Sequence, residues 1–212
     1  MPWTTVILST AAAMSLTLAA IHARVWFHER GSRESLLFTV AALSAVAAGL
    51  LEAWLMHSPS PAAYGERLRW LHLPVGLVAI AVAWFIPVYL RAGRTWFAWL
   101  ITAGRGLLLA VNFSAPVNAT FSEITGLRTV VFLGEPLTVP IGVASPWHFL
   151  ARLTGLLLVL HALDAGLTAR RLRTRPRPLL LAGVIAYVAI QSAFLSRLVV
   201  RGVLPGPLIG MS

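Results

Sequence analysis

Arg105 lies in the tract WLITAGRGLLLAVNF, residues 99–113, between two glycines and with apolar or small side chains on either side. A guanidinium donates in a planar fork that suits a carboxylate, phosphate or carbonyl oxygen. In the middle of a lipid-spanning segment it costs roughly 2.5–3.5 kcal/mol on insertion scales, so it needs a partner or a task. The side chains that could share that task are Glu52, His72, Asn112, Arg152 and Gln191, and with Arg105 they form the candidate ligand-binding set. A second set is His22, His161 and Asp164. Two histidines on different helices could ligate a b-type haem, and the i, i+3 pair His161 and Asp164 could relay a proton or simply secure a helix end. No HExxH or paired HxH pattern occurs, the chain has no cysteine, and no nucleophile–base pair stands out. No catalytic or metal-ligating residue is therefore assigned.

These groups matter in proportion to their surroundings. The chain has 212 residues, of which 58% are hydrophobic and 11% charged, and its mean hydropathy is +0.81. A soluble domain carries about 25% charged residues, and a core of this size cannot hide so many apolar side chains from water. The composition implies an integral membrane protein. The formal charge of +10 comes from arginine alone. No basic patch carries the aromatic interleaving or fold signature of nucleic-acid binding, so the charge reads as a membrane-topology signal.

A spanning helix needs about 20 mostly apolar residues. Six segments qualify, at 4–26, 36–56, 70–90, 95–113, 147–169 and 178–200. The expected fold is an all-α six-helix bundle in a single domain. The arginines of the loops following the first, third and fifth helices (Arg30, Arg33, Arg91, Arg94 and five within 169–179) lie on one side. By the positive-inside rule that side is the cytoplasm, and Met1 is external. The external loop 114–146 should be an ordered lid, with Phe121, Ile124, Val130, Phe132 and Leu133 packed down on the bundle. The tail RGVLPGPLIGMS reads as the opening of a seventh helix. The NAT at 118–120 matches a glycosylation acceptor pattern, to which no function is attached.

At a rise of about 1.5 Å per residue, Arg105 lies about 15 Å from the start of its helix, near the bilayer midplane. Glu52, His72, Asn112, Arg152, Gln191 and Arg197 fall in the outer half of their helices, beneath the long loop, while His22, His161 and Asp164 fall in the inner half. His28, His57 and His148 sit at helix borders and should face water or headgroups. Structural pairing of Glu52 with Arg105 or Arg152 competes with a ligand site. Interhelical polar contacts in membranes average only about 0.6 kcal/mol, a weak reason to keep a central arginine.

Several tracts carry a family resemblance: RLRWLHLPVG at 67–76, VYLRAGRTWFAW at 88–99, VNFSAPVNATFSEITGLRTVVFLGEPLTVPIGVASPW at 111–147 and HALDAGLTARR at 161–171. Over roughly residues 20–200 the chain resembles the amino-terminal seven-helix membrane sensor regions of bacterial sensor histidine kinases that carry PAS domains. In that family a seventh helix leads into cytoplasmic PAS and kinase modules. This sequence stops before such a helix and holds no kinase catalytic sequence, so the resemblance implies a sensor region and no enzyme activity.

The expected function is a sensory input domain of a two-component signalling protein in the bacterial inner membrane. It would detect an amphiphilic, anionic or membrane-dissolved signal in the outer half of the bundle, without a cofactor. Its partners would be the bilayer, cytoplasmic PAS and kinase modules if the chain is part of a longer one, and a second copy if it dimerises. The alternatives are a redox subunit binding b-type haem or quinone, and a small transporter, for which the glycines flanking Arg105 are suggestive.

Overall fold

The computed structural model describes residues 3–29, 32–132, 135–173, 181–186 and 188. Five helices, α1 (Trp3–His28), α2 (Arg33–Met56), α3 (Pro61–Leu90), α4 (Thr95–Ser114) and α5 (His148–Leu172), are long and apolar enough to cross a membrane. Of the expected sixth helix, residues 181–186 and 188 are helical, and Ala182 packs among α3, α4 and α5. Gln191, Arg197 and the tail lie outside the described residues. The all-α expectation holds for the spanning part, but the long loop adds a β-hairpin, β1 (Phe121–Phe132) and β2 (Glu135–Ala144).

Consecutive helices pack as neighbours, and α3 touches α2, α4 and α5, which makes it the centre of the bundle. The contact among α3, α4 and α5 is built on small residues, Ala83, Ala98, Ala162, Ala165 and Ala169, with Ile86, Leu90 and Ile101 between them. Without a hydrophobic drive between helices in lipid, close backbone approach of this kind supplies the packing energy. The α3–α4 turn is fastened to α5. Gly93 takes φ +97°, and a Cβ there would lie 2.7 Å from that of Ala165, so only glycine fits.

α3 starts nine residues before the expected Leu-rich span. Ser60 accepts the Ala63 N–H through its hydroxyl (3.2 Å), and Pro61 occupies the first turn, a strong start signal for a helix. At about 1.5 Å per residue its 30 residues extend about 45 Å, longer than the hydrocarbon core of about 30 Å. Pro74 and Pro87 both lie inside it.

The strands pair antiparallel from Phe121 opposite Ala144 to Phe132 opposite Glu135, with two register shifts near the base. In β2, Glu135, Leu137 and Val139 are buried while Pro136 is exposed, the period of two expected of a strand with one face on a core. Phe121 packs with Leu55, Tyr64, Leu68 and Leu71, and Leu137 with Leu8 and Met56. The hairpin therefore covers the end of the bundle where α1 and α3 begin and α2 ends. Of the apolar residues expected to pack down, Phe121 and Ile124 do so, Val130 is half-buried, and the Phe132 side chain and Leu133 lie outside the described residues. A two-stranded hairpin leaves unpaired backbone edges that hydrocarbon cannot host, so this end stands outside the bilayer core.

The opposite end carries Arg24, Arg33, Arg91, Arg94, Arg170, Arg171 and Arg173 among the described residues. The hairpin end has Arg67, Arg69 and Arg128, and the first two are tied to helix ends. Arg67 Nη1 donates to the carbonyls of Trp54 (2.6 Å) and His57 (3.1 Å) at the end of α2, with its guanidinium carbon 4.3 Å from the Trp54 ring centroid. Arg69 donates to the carbonyls of Ala115 (2.8 Å), Pro116 (2.9 Å) and Val117 (2.6 Å) just past α4. Each satisfies carbonyls that a helix end leaves without partners.

Candidate functional site

Along α4 the buried positions are Ala98, Ile101, Leu108 and Asn112, and Arg105 continues their stripe at i+4 from Ile101. The side chain is thus directed into the bundle by helical periodicity. Its Nε is buried without a hydrogen-bond partner, and it makes no ion pair within 4 Å with any described residue. The two flanking glycines do different work. A Cβ at Gly104 would lie 2.6 Å from Cγ2 of Thr154, so Gly104 admits α5; around Gly106 there is open space. α4 runs unbroken through both, so the GRG tract is not the interrupted helix that had suggested a transporter.

From this position a chain of three neighbouring side chains leads to α5. His72 on α3 lies within electrostatic reach of Arg105 and of His148 at the start of α5. His148 in turn lies within reach of Arg152, one turn further along the same helix. His72 Nε2 shares a hydrogen bond with the Thr120 hydroxyl (2.8 Å), which fixes one nitrogen of its ring to the base of the hairpin. His148 Nε2 is buried and has no hydrogen-bond partner among the described residues. The result is a cationic and imidazole cluster from three helices, beneath the hairpin. His148 was expected at a headgroup border; its half-buried place in this cluster follows from the i, i+4 spacing to Arg152, a signal the sequence does contain.

The other expected ligand residues go elsewhere. Asn112 donates to the carbonyl of Arg69 (2.9 Å) and accepts from the Ala119 N–H (3.1 Å), so both ends of its amide are engaged in joining α4, α3 and the hairpin base. Glu52 is 1% exposed, at the α2–α3 interface within electrostatic reach of Tyr64. Gln191 lies outside the described residues. Asn118, given no role from sequence, donates to the carbonyl of Gly65 (3.2 Å) and accepts from the N–H groups of Thr120 (2.9 Å) and Phe121 (2.8 Å). That Asx turn sets the chain into β1.

In the inner half, His161 Nε2 is 3.1 Å from the carbonyl of Ala83, which clamps α5 to α3. A carbonyl only accepts, so Nε2 carries the proton and Nδ1 holds the lone pair. Asp164 turns instead to the α3–α4 connection: its Oδ2 accepts the Arg94 N–H (3.2 Å), and Oδ1 is 4.0 Å from Arg94 Nε. His22 packs on Phe38 of α2, with ring centroids 4.1 Å apart. His161 is fully buried, with its ring centroid 5.6 Å from that of Phe97 and its Nε2 engaged by the Ala83 carbonyl. No group of three His, Asp or Glu side chains gathers at metal-binding distance among the described residues.

Comparison with protein-family models, characterised proteins and solved structures finds no match for this chain.

Proposed function

We propose that this chain is a membrane-embedded sensory input domain, in which His72, Arg105, His148 and Arg152 receive the anionic head of an amphiphilic signal. The observation that carries this reading is the buried Arg105 Nε, without a hydrogen-bond partner among described residues and within electrostatic reach of the His72 imidazole. A cation held in a low-dielectric site with no ion pair to a described residue within 4 Å is costly, and an arriving carboxylate or phosphate relieves that cost through charge-assisted hydrogen bonds. The guanidinium's desolvation has already occurred in the folded protein, so the ligand meets a preorganised donor.

The resemblance to sensor regions supports the signalling role, as does the layout. α5 carries His148 and Arg152 at the hairpin end and Arg170 and Arg171 in its last turn. A ligand that favours one packing of α5 over another would change how that basic end is presented. The basic end is cytoplasmic in this reading, the hairpin is external, and the membrane is the bacterial inner membrane. Cytoplasmic PAS and kinase modules would receive the signal, with a second copy as a dimer partner.

The test is head-group selectivity. Decanoate and decanol share a chain length and differ in charge. Purified protein in neutral detergent should bind decanoate in preference to decanol by equilibrium dialysis, and Arg105→Gln should erase the preference. Equal binding of the two by the unaltered protein would refute the anionic site.

A further inference from the structure

On the lipid-facing side of α2 and α3 a groove of about 530 Å³ runs between Leu43, Ser44 and Leu51 on one helix and Trp70, Leu73 and Leu77 on the other. Its lining is apolar apart from Ser44 and one end, which is lined by Glu66, Trp54 and Trp70. From Glu66 to Leu77 is eleven residues, or about 16 Å of helix, close to half of a hydrocarbon core of about 30 Å. The groove therefore runs from the interface into one leaflet. Exposed tryptophans at its upper end sit where aromatic side chains mark the membrane interface.

Glu66 gives this groove a polarity. It is exposed, and its carboxylate makes no hydrogen bond or ion pair with a described residue. The neighbouring Arg67 holds the carbonyls of Trp54 and His57, and its guanidinium carbon lies 4.3 Å from the Trp54 ring centroid, so a cation stands beside the carboxylate at this end of the groove. A carboxylate free to accept, with a guanidinium next to it, above a largely apolar trough, is complementary to a zwitterionic head that brings an N–H-bearing ammonium to Glu66 and a phosphate towards Arg67.

We infer that the α2–α3 groove is a binding site for an aminophospholipid of the hairpin-side leaflet, its ammonium on Glu66 and one acyl chain along Leu51, Leu73 and Leu77. A primary ammonium donates hydrogen bonds to the carboxylate, whereas a choline head carries the same charge without an N–H and a glycerol head carries no positive charge. The site faces lipid and does not involve Arg105, so it stands or falls separately from the signal site.

Brominated acyl chains quench tryptophan on contact, and Trp54 and Trp70 flank the groove. The protein is reconstituted into vesicles of equal parts phosphatidylethanolamine and phosphatidylcholine, with bromine on one lipid or the other. Subtracting the signal of the Trp54→Phe, Trp70→Phe variant isolates the two groove tryptophans. Brominated phosphatidylethanolamine should compete for the site about two- to fivefold better than brominated phosphatidylcholine, the range a solvent-accessible ion pair supports. Glu66→Gln should bring the ratio to one. Equal quenching by both lipids in the unaltered protein, a preference that survives Glu66→Gln, or stronger quenching by brominated phosphatidylglycerol in a matched mixture would each overturn the assignment.

Discussion

Asn112 donates to the carbonyl of Arg69, and the guanidinium of Arg69 in return holds the carbonyls just past the helix that carries Asn112. The two residues lock the end of α4 to the third turn of α3 at the root of the hairpin. Asn112→Leu would leave the buried Ala119 N–H without this partner, at about 1–3 kcal/mol, and would remove the side-chain hydrogen bond to the Arg69 carbonyl. Thermal melts in detergent should show the loss. A melting temperature equal to that of the unaltered protein would mean that water replaces the amide and the lock is not structural.

The hairpin should behave as a packed layer. Phe121→Ala removes a ring that is 2% exposed and sits among Tyr64, Leu68 and Leu71. The expected loss is about 3–5 kcal/mol, and residues 121–144 should become the first site of limited proteolysis. Asn118→Ala should give a similar proteolytic pattern with a smaller loss, because it releases the turn into β1 and leaves the apolar contacts in place. Rapid cleavage within the hairpin of the unaltered protein would contradict a packed lid.

The two glycines flanking Arg105 should respond in opposite directions. Gly106 faces open space, so Gly106→Ala should stabilise α4 by up to about 1 kcal/mol through helix propensity. Gly104 lies against Thr154, and Gly104→Ala must push α5 away, with an overpacking cost of about 1–3 kcal/mol. Comparing their melting temperatures checks the α4–α5 crossing on which the placement of Arg105 beside α5 depends.

The chain has no cysteine, so single cysteines report sidedness without a background. Val131 on the hairpin and Leu172 at the basic end are both exposed. In intact cells a membrane-impermeant maleimide should label Val131→Cys and leave Leu172→Cys untouched until lysis. The reverse pattern would turn the bundle over and place the cluster in the cytoplasmic half.

Hydropathy made four of the spanning helices legible to within a few residues, because lipid demands an apolar run wherever the backbone crosses. The same criterion missed the start of α3, where Glu66, Arg67 and Arg69 interrupt the apolar pattern. There the helix stands beyond the hydrocarbon and is governed by its Ser60 cap. The hairpin was hidden for a related reason: strands of 12 and 10 residues alternate with a period of two that a 20-residue window averages away. At the site, the sequence singled out Arg105, His72 and Arg152 from the cost of polar groups in lipid. It could not separate Asn112 from them, since an amide that binds a ligand and one that staples two backbones look alike before the chain is folded. Asn118 and Thr120 lay in a loop with no periodicity to place them.

The central claim is that Arg105 waits for an anion and does not neutralise an acid, and thermal melts with and without decanoate test it most directly. With the cation absent in Arg105→Gln, the ligand-free protein should melt at the same temperature as the unaltered one or higher, because a buried charge has been removed. The upward shift that decanoate produces in the unaltered protein should vanish. If Arg105 is instead the structural partner of Glu52, Arg105→Gln should destabilise the bundle, by about 3–5 kcal/mol for a fully buried pair, and adding Glu52→Gln should restore much of that loss. That rescue, with a decanoate shift unchanged by Arg105→Gln, would contradict the account.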